Sequence, residues 1–223
     1  MSLSYLFHSF IAKRKKEIHA ISNFVEKNEF NKLKIKINKD TIIRNKFFKG
    51  YGRSKPVTWM VIHGTGGKGT LRWMRDLVKF KSKRGLRYQK GIGLFHYLIE
   101  TDGTIWNIID PKNWVWHASI GQYDGGTIGV ELENTHRANR NPYSEMQYNS
   151  LLALYNHLRF NGYPKMKTMI SHNRAKIKIN HGRLGGKECP GKGFDWIMWK
   201  NMVREHYDFA HNNGESLWDI NPT

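Results

Sequence analysis

Residues 57–65 read VTWMVIHGT, six residues without a charge followed by a histidine and a glycine-rich turn. A nearly continuous apolar run of this length is the pattern of a strand covered on both faces. It ends at His63, where Gly64 to Gly67 open a loop. The same arrangement recurs at residues 167–171, where KTMIS runs into His172. Residues 127–132, TIGVEL, form a third strand of the buried type. Rigid scaffolds commonly present functional groups where strands give way to loops, so His63 and His172 are the first candidates for chemistry.

Around these strands the pattern alternates. Leu71 to Phe80 reads as a helix. Leu94 to Glu100 and Thr104 to Asp110 read as two strands around Asp102-Gly103, a dipeptide that favours a tight hairpin turn. Ser144 and Gln147 make a capping-box pattern ahead of Met146, Tyr148, Leu151, Leu152, Tyr155 and Leu158, which predicts a helix ending near Gly162. Phe194 to Tyr207 predicts a last helix. Interleaved strands and helices with a hairpin inside them give an α/β fold, a single domain with a central mixed β-sheet flanked by helices. Residues 56–210 are read as that domain and residues 211–223 as a tail.

Residues 1–55 are read as a basic N-terminal extension, helical in part. Leu6, Phe10, Ile11, Ile18, Ile21 and Val25 fall at roughly helical spacing, and Lys32 to Ile37 alternates in the manner of a short strand. The formal charge of the chain is +19, from 37 basic and 18 acidic residues. Residues 1–56 hold 14 Lys or Arg against 4 Asp or Glu, so much of the excess lies there. A field of that sign concentrates polyanions, whether nucleic acid, anionic lipid or acidic wall polymer. No nucleic-acid motif accompanies it, and the basic residues lack an aromatic RNA-binding signature, so nucleic acid is not expected as the partner. Ordinary packing on the domain is the expectation for the extension, with contact to anionic wall polymer or a membrane surface as the alternative.

Hydrophobic residues at 39% and aromatics at 13% fit a globular chain. No apolar run of about 18 residues is present to span a membrane. The start, MSLSYLFHSFIAKRKK, sets its apolar stretch before its basic cluster, the reverse of a secretory signal. Synthesis for the cytoplasm, as a monomer, is the expectation.

Cys189 is the one cysteine, in GGKECPG at residues 185–191, so an internal disulfide is excluded. Two imidazoles and a thiolate suit zinc, and three protein donors leave a fourth position for water. The spacings, 109 residues from His63 to His172 and 17 more to Cys189, match no compact zinc finger.

Five motifs in order give these residues a context: VIHGT (61–65), FHYLIETDGTI (95–105), WHAS (116–119), IGVELEN (128–134) and KECPG (187–191). Together they resemble the zinc-dependent N-acetylmuramoyl-L-alanine amidases, whose superfamily includes phage lysozyme-type amidases and peptidoglycan recognition proteins. The resemblance covers roughly residues 57–207. It implies one zinc ion held by His63, His172 and Cys189, with Glu131 as the catalytic acid–base and Lys187 steadying the oxyanion. His96, His117 and Trp116 sit in motifs that line the site in relatives, which implies substrate contacts. The implied activity is bacteriolytic hydrolysis of the amide joining N-acetylmuramic acid to L-alanine in peptidoglycan.

The chain departs from the pattern twice. Phe95 stands where some phage members carry a catalytic tyrosine, which shifts acid–base work onto Glu131. The gap from His172 to Cys189 is long, and His181 is an alternative ligand only eight residues before Cys189. His172 is favoured, because an apolar strand and a long helix precede it in the family's order; residues 173–185 are then an inserted basic loop. A phage-type endolysin is the preferred context. A cytoplasmic wall-recycling amidase and a non-catalytic peptidoglycan-binding protein are the alternatives.

Overall fold

The computed structural model describes residues 35–39, 51–53, 55–79, 94–118, 121–136, 139–166, 169–172 and 189–206. The expected helices before residue 26, Lys187, His181, the basic loop and the tail lie outside the described residues. Among the described residues, no helix is long and apolar enough to cross a membrane.

The fold is mixed α/β. Its main sheet has six strands in the order β1 (Ile37–Lys39), β5 (Ile105–Asn107), β4 (Tyr97–Ile99), β7 (Thr127–Leu132), β3 (Trp59–Gly64) and β8 (Met169–Ser171). Strands β4, β7, β3 and β8 run parallel, whereas β5 returns antiparallel to β4 and β1 lies parallel to β5. A second ribbon pairs β2 (Tyr51–Gly52) with β6 (Asn113–Trp114). Helices α1 (Thr70–Lys79), α2 (Glu145–Phe160) and α3 (Trp196–His206) complete the domain, with a 3-10 turn at Gly121–Gly126.

The parallel strands are central, as their composition requires. Met60, Val61 and Ile62 are fully buried, as are Ile128 and Val130 beside them. Leu71 and Met74 of α1 close over one cluster with Leu94, Phe95, Leu98, Ile108, Ile109 and Val115. Phe95 therefore packs in an apolar cluster, the environment its phenyl ring prefers. Helix α2 contributes Leu151, Leu152, Leu154, Tyr155 and Leu158 to the core, and α3 adds Trp199 and Val203. Each such side chain is worth about 1.5–3 kcal/mol on burial.

Three boundaries differ from the sequence reading for backbone reasons. Strand β3 starts at Trp59 and continues through His63 and Gly64, because its ladder with β7 runs on to Glu131 and Leu132. Strand β1 begins at Ile37, where its pairing with Ile105 starts. Strands β1 and β2 come from residues assigned above to the extension, and both are paired with strands of the domain.

Helix α2 carries the capping box in full: the Ser144 hydroxyl accepts from Gln147 N–H, and the Gln147 side chain accepts from Ser144 N–H. The same hydroxyl donates to the Thr101 carbonyl at 2.7 Å, and Gln147 Nε2 donates to the Glu133 carbonyl at 2.8 Å. The helix start is thereby tied to the ends of the hairpin and of β7. Ser144→Ala is expected to cost about 1–2 kcal/mol, the upper part of the range for a cap, measured by urea denaturation. Loss of less than about 0.3 kcal/mol would contradict this double role.

Candidate metal centre

Register decides what meets at this end of the sheet. On β3 and β7, His63 lies directly opposite Glu131, which in turn pairs with Leu98 of β4. Paired residues of parallel strands project to the same face, so His63 and Glu131 share one row. On the other side of β3, Ile62 pairs with Ser171, and His172 is the next residue along. Glu131, His63 and His172 thus stand at neighbouring strand ends although they are far apart in sequence. Cys189 arrives from the segment before α3.

One potential ligand atom from each of His63, His172 and Cys189 can be chosen so that all three lie within 4.8 Å of one another. Cys189 Sγ is 3.7 Å from His63 Nδ1, and the His63 and His172 ring centroids are 4.6 Å apart. Sulfur and nitrogen sharing a tetrahedral zinc stand about 3.5 Å apart, from the usual bond lengths. The spacing and the donor chemistry therefore fit a divalent cation of the zinc type. His63 is buried, while His172 and Cys189 keep some exposed surface.

Cys189 is held by its successor. The Tyr143 hydroxyl donates to the Pro190 carbonyl at 2.9 Å, pinning the bend that carries the thiol. That phenol is held far above the usual range, first by burial, then by the charges of Cys189 and Glu131. Tyr143 also closes over β3: a Cβ at Gly64 would strike its hydroxyl and the Asn139 side chain. The glycine after the histidine is a packing requirement.

Glu131 holds the one buried carboxylate oxygen without a hydrogen-bond partner among the described residues, its Oε2. Desolvation raises its pKa from 4.5 to about 8. Glu133, two residues on, is engaged instead, accepting from Gly69 N–H at 2.5 Å and Thr101 N–H at 3.3 Å.

The other histidines form a layer behind the donors. His117 Nδ1 is 3.0 Å from His63 Nε2, and its own Nε2 is 2.8 Å from Thr127 Oγ1 and 3.6 Å from Asp124 Oδ1. His172 Nε2 is 3.1 Å from the Ala118 carbonyl. Burial holds the His117 pKa well below the ordinary imidazole value, followed by the positive charge that His63, His96, His172 and Arg53 would add. His96 is fully buried: its Nδ1 accepts from Gly129 N–H at 3.0 Å, and Nε2 lies 3.0 Å from the Asn113 carbonyl. Burial and the Arg53 guanidinium at 2.9 Å bring its pKa down to about 3. Trp116 is half-buried, tilted against Trp114 at 5.2 Å.

The structure thus brings His63, His172 and Cys189 together, places Glu131 beside His63, and sets His96 and His117 behind the donors with their nitrogens engaged by protein. Asp124, Thr127, Tyr143 and Arg53 also serve this centre and escaped the sequence reading. Their effects run through contacts that no local motif encodes, although Tyr143 stands just before the capping box.

A mixed sheet with two histidines at neighbouring strand ends and a cysteine brought beside them defines a class of α/β protein with a candidate cation site. The sequence profile described as N-acetylmuramoyl-L-alanine amidase (Amidase_2) matches residues 53–192, and the chain belongs to that family. It is 31% identical over 117 residues to the 1,6-anhydro-N-acetylmuramyl-L-alanine amidase AmpD of Haemophilus influenzae, a match covering 49% of this chain and 58% of that protein. The chain thus spans little more than half the length of that curated relative. A selenomethionine AmpD structure shares the fold with TM-score 0.55 and 23% identity, covering 74% of this chain and 93% of that one. The Ph2119 endolysin of a Thermus scotoductus bacteriophage does so with TM-score 0.53 and 19% identity, covering 77% and 98%.

The buried carboxyl generates a pH prediction. With its folded pKa raised to about 8, Glu131 keeps in the folded protein a proton that the unfolded chain releases near 4.5. Its stabilising effect is full below the unfolded value and is lost as pH rises through about 8. The melting temperature of metal-free protein should therefore fall between about pH 7 and pH 9, above the range in which the neutral, buried His96 and His117 make stability rise with pH, and less steeply in Glu131→Gln. Identical pH dependence in both proteins would contradict the assignment.

Proposed function

We propose that the protein is a zinc-dependent amide hydrolase that cleaves the bond between N-acetylmuramic acid and L-alanine. The convergence of His63, His172 and Cys189 beside the enclosed carboxyl of Glu131 carries this reading, and family membership supports the substrate class. His63, His172 and Cys189 hold the ion, with His172 taken over His181. When bound, the zinc supplies Lewis acidity that activates water and polarises the amide carbonyl.

The protein's own groups move the protons and fix the geometry. Glu131, with a pKa raised to about 8 by burial, is tuned toward neutrality; a neighbouring cation would draw it back down. It takes a proton from the attacking water and returns it to the leaving amine, work typically worth about 10²–10⁴-fold. Phe95 has no proton to exchange, so this role falls on Glu131 alone. Lys187, two residues before Cys189, supplies positive charge where the oxyanion grows, an effect on the order of 3 kcal/mol for comparable donors. His117 and His96 act as supports behind the centre. Trp116 is retained as a substrate-contact candidate beside Trp114.

The enzyme reading is preferred to a binding protein without catalysis because the thiolate ligand and the buried acid are both present. Two substrate forms fit the same bond. The name of the curated relative supports a soluble 1,6-anhydro muropeptide, and the wall polymer expected from the sequence motifs is the other reading.

Purified sacculi and 1,6-anhydro-muropeptides, each incubated with the zinc-loaded protein, are expected to yield L-alanine-terminated stem peptides from at least one. Chelator should abolish release, and Glu131→Gln should lower kcat by about 10²-fold or more with zinc retained. No release from either substrate by the zinc-loaded protein would overturn the proposal.

A further inference from the structure

Resting on the zinc-site reading, we propose that the segment Trp116–Ala118 is a tautomer clamp. It holds the ring proton of both metal-binding histidines on Nε2, so that His63 and His172 each present Nδ1 to the ion. A neutral imidazole has one N–H and one lone pair, so the partner of one nitrogen dictates what the other offers.

For His172 the partner leaves no choice. Nε2 lies 3.1 Å from the Ala118 carbonyl, which can only accept, so Nε2 carries the proton. For His63 the partner is another imidazole, His117 Nδ1 at 3.0 Å, and this pair alone has two proton arrangements. The far side of His117 selects one. Its Nε2 faces the carboxylate oxygen of Asp124 at 3.6 Å and Thr127 Oγ1 at 2.8 Å. In the proposed arrangement the Thr127 hydroxyl directs its hydrogen to the Asp124 carbonyl, 3.4 Å away, and its oxygen accepts from His117. His117 therefore donates through Nε2 and accepts through Nδ1, which puts the His63 proton on Nε2. The Cys189 Sγ then lies on the lone-pair side of His63, 3.7 Å from Nδ1.

One carboxylate lies against both arms. Asp124, fully buried, accepts from Ala118 N–H at 2.9 Å with the same oxygen that faces His117. The ring of His117 is seated on Gly129, where a Cβ would come within 2.5 Å of His117 Cγ. The glycine of TIGVEL and the histidine of WHAS are thus two halves of one contact. Groups behind a metal ligand that fix its ring orientation and tautomer typically change metal affinity by about 10–100-fold.

The proposal predicts tautomers directly. Long-range proton–nitrogen spectra of nitrogen-labelled, metal-free wild type at about pH 8, where imidazoles are neutral, should show His63 and His172 as Nε2–H. The signals are assigned with His63→Gln and His172→Gln, and an Nδ1–H tautomer at either ring overturns the clamp. Zinc affinity by chelator competition gives an independent readout. His117→Phe should bind zinc about 10–100-fold more weakly than wild type, and His117→Asn, whose amide oxygen lies near the Nδ1 position, should recover most of the loss. Equal affinity in His117→Phe and wild type overturns it too. Should His117→Phe fail to fold, the wild-type spectra decide. Wild type that binds no zinc but shows both Nε2–H tautomers would refute the hydrolase reading and leave the clamp standing.

Discussion

Everything at this centre depends on the register of three parallel strands. Pairing of His63 with Glu131, and of Ile62 with Ser171, aligns a carboxyl and two imidazoles on neighbouring strand ends without any loop having to reach for them. A slip of one residue in β7 would turn Glu131 to the opposite face of the sheet. The register is protected by burial: Met60, Val61 and Ile62 are enclosed on both faces, so any slip would also disrupt the core. The hydrophobic core and the site geometry are therefore secured by the same pairings.

Of the three clustered residues, Cys189 is the one that comes from a segment remote from the strand ends, and its bend is tied down separately. Tyr143 holds the Pro190 carbonyl while packing against Gly64, so the thiol and the His63 strand are fixed by one side chain. The arrangement follows a general rule for sites of this kind: donors are placed by rigid elements, and a layer behind them decides which atoms face the ion. Here that layer is His117, Asp124 and Thr127, while His96 and Arg53 brace the backbone of β7 and the turns beside it through Gly129, Pro111 and Gly125.

What could be read from the sequence was what depends on local pattern. The strand Thr127–Leu132 and the capped helix from Glu145 were legible, because an apolar run and a capping box are signals contained within a few residues. The meeting of His63, His172 and Cys189 was legible only through motif order, since no spacing rule links residues 109 apart. The part played by Asp124, Thr127, Tyr143 and Arg53 was not legible. Asp124 lies in a glycine-rich turn that no local motif marks, yet it is fully buried between Ala118 and His117. His117 and His96 were expected as substrate contacts because they sit in motifs that line the site in relatives. Their burial and their protein partners instead place them behind it, and only the tertiary structure could reveal that distinction.

X-ray absorption at the zinc edge of the loaded protein addresses the central claim most directly. The account predicts one sulfur at about 2.3 Å and two imidazole nitrogens at about 2.0–2.1 Å, with the sulfur signal lost in Cys189→Ser. A first shell of nitrogen and oxygen alone in the wild type would show that Cys189 does not hold the metal and would contradict the account.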